Sequence, residues 1–311
     1  MAEEYGYLPY MIERYIKFLG LDDTIQLLKA NEEKLTPSIR VNTLKISALK
    51  LKDRLEKKDF VLEPIQWIPY GFNIIKEPYN LGSSHEFLHG YYYLQNIASM
   101  LSSVILDPKP DDTVIDMCAA PGSKATHIAQ LMENKGKLIL IDRNKSRIPA
   151  LEVNLRRMGI INTIVFNMDA TYLSKLKIKA TKILLDAPCT GEGLIKQDPL
   201  RKKSKKMKNI EQMAAIQRKL LKSGLNALKS QGKLLYCTCS IAPEENELVV
   251  NSVLNELNNF TVSKISDVYG VDGLKNVFGI SLRDDLKFSK RLYPHKHNTI
   301  GFYYCVIEKD I

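Results

Sequence analysis

The sequence predicts an α/β fold: a mostly parallel sheet covered by helices on both faces, preceded by a small α+β unit. From Asp112 onward, short apolar segments rich in β-branched residues alternate with stretches of helical periodicity, the pattern of successive βαβ units. Residues 38–76 follow a different rhythm, with strand-like runs broken at Pro64 and at Pro69-Tyr70-Gly71. The 311 residues, 45% apolar and 26% charged, suffice for one large or two ordinary domains and argue against wholesale disorder. On this basis the chain divides into 1–90, comprising N-terminal helices and the α+β unit, and 91–311, the larger α/β domain.

The elements follow in order. Within the first 35 residues YMIERYIKFLG and DDTIQLLKA have helical spacing and predict two short helices. Residues 38–44 read as a strand, 47–58 as a helix turning Leu49, Leu51 and Leu55 to a core, and 60–76 as extended segments. Tyr91-Tyr92-Tyr93 leads into LQNIASMLSSVIL, a helix closed by Pro108 and Pro110. Five strand candidates come next: TVIDM, KLILID, TIVFNMD, TKILLDAP and GKLLYCTCS. Helices interrupt them at 123–133, with Ser123 as N-cap; at 146–158, with Leu151, Leu155 and Met158; and at 211–228, with Met213, Ile216, Leu220 and Leu225. A further helix over 243–257 opens on Pro243-Glu244-Glu245, and residues 301–307 form the last strand.

Composition narrows the classes of function. Lys plus Arg number 45 against 35 for Asp plus Glu, a formal charge of +10, which suits a polyanionic partner. No apolar stretch approaches the ~20 residues that cross a bilayer, and MAEEYGYLPY has no signal-peptide core, so a cytoplasmic protein without a membrane role is expected. Five cysteines, Cys118, Cys189, Cys237, Cys239 and Cys305, form an odd set and fit reduced thiols.

Ligands of an open parallel sheet bind beyond the carboxyl ends of its strands. Asp116, Asp142, Asp169 and Asp186 stand at four successive strand ends. Taken singly, each is more often a strand-end or capping residue than a ligand; four at successive strand ends indicate a site. The first turn, Asp116-Met117-Cys118-Ala119-Ala120-Pro121-Gly122-Ser123-Lys124, has small residues ahead of a helix start, but only one glycine, and no phosphate-binding glycine pattern occurs. A carboxylate after the second strand suits ribose hydroxyls. A nucleoside lacking phosphates and bearing an amino-acid tail is S-adenosylmethionine. The Asp186–Gly191 turn and the end of the fifth strand bring Cys189, Cys237 and Cys239 to the same rim, and a thiol there suits attack on carbon. Cys237 and Cys239, two apart on a strand, also allow simple packing; Cys-x-Cys without a second ligand pair does not support zinc, so no metal is expected. Cys118 and Cys305 read as core residues.

These segments resemble the RNA cytosine-5 methyltransferase family of Sun and Nop2-like proteins. The resemblance rests on RVNTLK (40–45), YLQNIAS (93–99), DMCAAPGSK (116–124), Asp142, Asp169, DAPCTGEG (186–193), YCTCS (236–240), PEENE (243–247) and GFYY (301–304), and so covers nearly the whole chain. It implies a Rossmann-like S-adenosylmethionine-dependent methyltransferase fold with a seven-stranded sheet, and an RRM-like character for the small unit. It also implies roles. Cys239 adds to carbon 6 of cytosine, Asp186 holds ring nitrogen 3, and Cys189 assists loss of the carbon-5 proton and release of Cys239, with Lys124 beside the centre. DNA cytosine-5 methylases use a cysteine in a Pro-Cys turn, which would reverse the two thiols; the Thr-Cys-Ser match favours Cys239. The resemblance places Cys118, Ala119, Ala120, Pro121, Gly122, Ser123, Lys124, Asp142, Arg147, Asp169 and Asp186 around S-adenosylmethionine. The chain departs from the family at Asn96, where an acidic residue is common, and at Ile300, where Asp often precedes the glycine.

The expected partner is RNA, with tRNA ahead of ribosomal RNA because the chain is compact. A non-catalytic RNA-binding or assembly protein is the alternative of another class, and it needs neither thiol. No oligomer is required. Residues 201–208 (RKKSKKMK) place Arg201, Lys202, Lys203, Lys205 and Lys206 in one run, either a solvated loop or a phosphate-gripping rim, and Arg40 is expected to touch RNA. The small unit lacks the aromatic RNP signature, so base stacking on its sheet is not expected.

Overall fold

The computed structural model describes residues 1–265 and 270–310. The chain forms two compact units, Thr36–Leu184 and the combination of Met1–Leu35 with Leu185–Ile311.

The second of these units begins with three helices where the sequence predicts two: α1 (Ala2–Tyr5), α2 (Pro9–Leu19) and α3 (Leu21–Ala30). Gly6, with φ of 71°, ends the first of them, and Pro9 opens α2 at a position whose N–H needs no partner. α2 buries Met11, Ile12 and Tyr15, which join Leu27 and Leu28 of α3 in one cluster with Ile195, Ile241 and Tyr293. The N-terminal helices are thus built into the same core as the last third of the chain.

Thr36–Leu184 starts as β1 (Ser38–Val41), α4 (Ala48–Glu56), β2 (Val61–Ile65), β3 (Ile68–Lys76), α5 (His85–Leu88) and β4 (Tyr92–Leu94). This βαββαβ order, with antiparallel strands arranged β2-β3-β1-β4, is the RRM-like arrangement expected. Ile39, Val41, Phe72, Ile74 and Tyr92 pack with Leu51 and Leu55 of α4. Leu49 does not join them and is 79% exposed. Leu51 and Leu55 are four apart and share a face, whereas Leu49 lies about 200° around the helix from Leu51.

Next come α6 (Ile97–Leu106), β5 (Thr113–Asp116), α7 (Ser123–Leu131), β6 (Lys137–Asp142), α8 (Ile148–Met158), β7 (Thr163–Asn167) and β8 (Ala180–Asp186). Asn96 caps α6, its side chain accepting from the Ala98 N–H at 2.9 Å, so the departure from an acidic residue there preserves a helix start. The strands run parallel in the order β8-β5-β6-β7. Leu151, Leu155 and Met158 of α8 are buried as expected. Ser123 is not the cap of α7; Gly122, with φ of 103°, takes that position without a side-chain cap.

β8 runs across the division between the units, and its last residues belong with α9 (Arg201–Ser204), α10 (Met207–Ala227), β9 (Leu228–Thr238), α11 (Glu247–Glu256) and β10 (Phe260–Ser263). The chain ends through β11 (Val271–Asp272), the hairpin of β12 (Asn276–Val277) and β13 (Ile280–Ser281), β14 (Lys290–Leu292), α12 (Pro294–His297) and β15 (Phe302–Lys309). β15 is antiparallel to β9, β10 and β14. The seven strands implied by the resemblance correspond to β5, β6 and β7 in one unit, β8 across the division, and β9, β10 and β15 in the other; β11 and β14 are short additions. Among the described residues no helix is long and apolar enough to cross a membrane.

Candidate active site

In Thr36–Leu184 the carboxyl ends of β5 and β6 fix a single loop. Asp116 accepts the Cys118 N–H at 3.2 Å. Asp142, only 4% exposed, accepts the Ala120 N–H on one oxygen at 3.1 Å and the Asn144 N–H on the other at 2.8 Å. Arg147 lies 3.6 Å from the Asp142 carboxylate and donates to the Ala120 carbonyl. Each Asp142 oxygen therefore keeps a second lone pair, the acceptor set that two vicinal ribose hydroxyls require. Ala119 and Ala120 are buried, Cys118 and Lys124 half-buried, and the uncapped first turn of α7 follows. Small side chains, a carboxylate with acceptor capacity and a helix start fit a nucleoside with an amino-acid tail, and the lone glycine offers no cradle for a diphosphate. Cys118, expected in the core, is instead partly exposed on this loop.

Asp169 has a local role: its side chain accepts the Thr171 N–H at 2.8 Å and caps the 3-10 turn after β7. Lys124 is near enough to Tyr93 for its charge to lower that phenol's pKa, against the burial that raises it.

Arg40 corrects an expectation. It is fully buried, donating to Gln95 Oε1 at 2.7 Å, the Ser123 carbonyl at 2.9 Å and Thr126 Oγ1 at 2.8 Å, with its guanidinium carbon 5.5 Å from the Tyr93 ring. Burial brings its pKa down to about 9. A guanidinium so enclosed cannot meet RNA; it ties β1 to the first turn of α7. Tyr70 and His127 meet alongside at 2.9 Å, and burial holds the His127 pKa well below its usual value. This β-sheet is therefore braced against α7 within its own unit, which agrees with the missing RNP aromatics.

In the other unit the two cysteine-bearing segments converge. Cys189 Sγ and Cys239 Sγ are 3.3 Å apart, and Cys237 Sγ is 3.7 Å from the Asp186 carboxylate. The adjacent Cys239 sulfur, then burial, raise the Cys189 pKa well above the ordinary thiol value. Cys305 is buried in the core as expected.

Glu245 holds the pair together. It accepts the Thr190 N–H at 2.8 Å, the Thr190 hydroxyl at 2.5 Å, the Ser240 hydroxyl at 2.6 Å and the Gln217 amide at 3.2 Å. One carboxylate thus links the residue after Cys189 to the residue after Cys239. Burial raises its pKa, opposed by these four bonds. Behind it Gly193 and Gly301 interlock: Gly193 donates to the Cys239 carbonyl at 3.0 Å, and a Cβ on Gly193 would sit 2.1 Å from the Gly301 carbonyl oxygen. Gly193 of DAPCTGEG and Gly301 of GFYY are required by close backbone approach.

A second buried cluster lies in the same unit. Arg14 of α2 forms an ion pair with Glu192 at 2.9 Å and grips Glu244 with two nitrogens, at 2.8 and 2.7 Å. It clasps the Cys189 loop and the turn before α11 to the N-terminal helix. The basic run is divided in the same way. Arg201 donates to the Thr190 carbonyl at 3.0 Å and pairs with Asp198, while Lys202 is buried on Glu32 and the Tyr7 ring. Lys203, Lys206 and Lys208 are exposed and Lys205 half-exposed. Glu192, Glu244 and Glu245 lie in matched motifs whose chemistry is invisible from spacing. Arg14 left no trace in the sequence, being one charge in an amphipathic helix.

The βαβ architecture, the loop held by Asp116 and Asp142, and a sulfur pair at the end of β9 define a Rossmann-like methyltransferase with thiols in its second unit. Comparison narrows this. The family model for the 16S rRNA methyltransferase RsmB/F matches residues 103–308, and that for the N-terminal domain of 16S rRNA methyltransferase RsmF matches residues 8–97. The chain belongs to the RsmB/F methyltransferase family. It is 34% identical to a tRNA (cytosine(49)-C(5))-methyltransferase of Pyrococcus abyssi over 96% of this chain and 95% of that protein. It is 35% identical to a 28S rRNA (cytosine-C(5))-methyltransferase of Mus musculus over 99% of this chain and 40% of that one. The structure of a methyltransferase homolog protein from Pyrococcus horikoshii superposes with a TM-score of 0.90 at 39% identity, covering 99% of this chain and 97% of that one. The chain spans 38 to 51% of the length of the eukaryotic ribosomal RNA relatives it matches.

Proposed function

We propose that this chain methylates carbon 5 of cytosine in RNA, with tRNA as the first substrate to test. The observation that carries the reading is the 3.3 Å sulfur pair of Cys189 and Cys239. Carbon 5 of cytosine is a poor nucleophile. Addition of the Cys239 thiolate to carbon 6 makes carbon 5 an enamine carbon, with Asp186 balancing charge at ring nitrogen 3. The 118–124 loop, Asp142 and Arg147 would hold S-adenosylmethionine, which would supply the methyl group. After methylation the carbon-5 proton must leave before Cys239 is expelled. The Cys239 sulfur is the main influence keeping Cys189 protonated. With that sulfur bonded to carbon, Cys189 gives its own proton to solvent and, as the thiolate, takes the carbon-5 proton. Loss of that proton expels the Cys239 thiolate and restores the ring.

The archaeal tRNA relative, matched along nearly its whole length, supports tRNA and, with it, a cytoplasmic setting. The second reading, ribosomal RNA, is supported by the names of the eukaryotic relatives. Labelled cofactor incubated with unmodified tRNA and ribosomal RNA, followed by mapping of 5-methylcytosine, separates them. Methylation of neither class by a folded, cofactor-binding chain removes the activity. Cys239→Ala is expected to abolish turnover and covalent capture, and Cys189→Ala to accumulate a protein–RNA adduct that survives denaturation. Loss of that adduct in Cys189→Ala alone reverses the two roles.

A further inference from the structure

The β12–β13 hairpin turns through Phe278 and Gly279, with φ of 52° and 82°. Two consecutive positive φ values give a type I′ turn, whose favoured first residue is asparagine; a phenylalanine there is crowded by its own Cβ. The ring does not repay this cost by burial. It is 39% exposed, touches Phe18 edge-on with centroids 6.4 Å apart, and forms one wall of a cavity of about 740 Å³. Lys17, Met207, Asn276 and the paired Arg14 and Glu244 form the rest. Arg14 neutralises Glu244 by its two-nitrogen grip, whereas Lys17 is exposed and has no ion pair among the described residues. Met207 opens α10 at the end of the basic run, between the exposed Lys206 and Lys208.

An exposed aromatic held at a strained position, a polarisable thioether, an amide and the exposed Lys17 ammonium match the needs of a single-stranded nucleic acid. Their sign also suits a chain with a net charge of +10. We propose that this cavity takes one unstacked base of the RNA, stacked on Phe278, with Lys17, Lys206 and Lys208 on the neighbouring phosphates. The cavity lies within the ~300–1,000 Å³ typical of small-ligand sites and is large enough for one nucleotide. The proposal rests on RNA being the substrate and adds a site that reads an unpaired nucleotide beside the target.

Phe278→Asn tests it without threatening the fold, because asparagine suits this turn better than phenylalanine. The melting temperature is expected to hold or rise. Binding of a fluorescein-labelled single-stranded oligocytidylate, read by anisotropy, is expected to weaken roughly ten-fold, the loss of one base stack. Phe278→Tyr, which keeps a stacking face, is expected to bind like the parent. Equal oligonucleotide affinity for Phe278→Asn and the parent overturns the proposal and leaves the exposed ring to a protein partner. If the parent methylates no RNA yet binds the oligonucleotide in a Phe278-dependent way, the activity falls and the site stands. If it methylates RNA and Phe278→Asn binds as well as the parent, the reverse holds.

Discussion

Glu245 and Glu192 are both buried acids beside the sulfur pair, yet they do different things. Glu245 collects four donors from the two cysteine loops, so Glu245→Ala leaves the Thr190 and Ser240 groups without an acceptor. That change is expected to cost about 1–3 kcal/mol of stability in chemical denaturation. It should also lower turnover while leaving S-adenosylmethionine affinity, read by calorimetry, near the parent value. Glu192 faces Arg14, but burial outweighs that partner and pushes its carboxyl up to about 7. A raised acid favours the fold in its protonated form. Its stabilising contribution is complete below its unfolded pKa of ~4.3 and is lost as pH rises through the folded value. Thermal melts of the parent and Glu192→Gln between those limits are therefore expected to show the parent losing stability relative to the variant as pH rises. A constant difference between the two would show that Glu192 does not titrate there.

At the scale of elements, the sequence patterns were most legible where burial is regular. β5, β6 and the end of β8 announce themselves because they are buried, so each reads as an apolar run. Helix phase was harder: Leu49 lies two residues from Leu51 and looks equivalent until the 3.6-residue turn carries it to solvent. Charge was hardest. Arg40 in RVNTLK suggested a nucleic-acid contact, yet its three acceptors all lie within its own unit, so its role is to connect β1 with the start of α7. Arg40→Met is accordingly expected to weaken cofactor binding and lower the melting temperature, with no change in the salt dependence of RNA binding. Arg201 and Lys202 belong to the same lesson. A run of basic residues gives the sign of a surface, while which members face water depends on partners such as Thr190, Asp198 and Glu32, remote or ordinary in sequence.

For the whole molecule, the formal charge of +10 becomes specific once the committed cations are set aside. Lys203, Lys206 and Lys208 are the exposed members of the densest run. Neutralising all three is expected to reduce the slope of log affinity against log salt by roughly two, at ~0.7 for each single-strand phosphate left without its cation. Cofactor affinity should not move. An unchanged slope would place the RNA on another face.

The pairing of β9 with β15 has a consequence in time as well as in space. β9, the strand that ends at Thr238 just before Cys239, is flanked by residues 302–309, so its partner emerges from the ribosome some sixty residues later. Until then that edge of β9 is open, while β8 lines its other edge. A nascent or interrupted chain therefore offers a free strand edge on which another strand can pair.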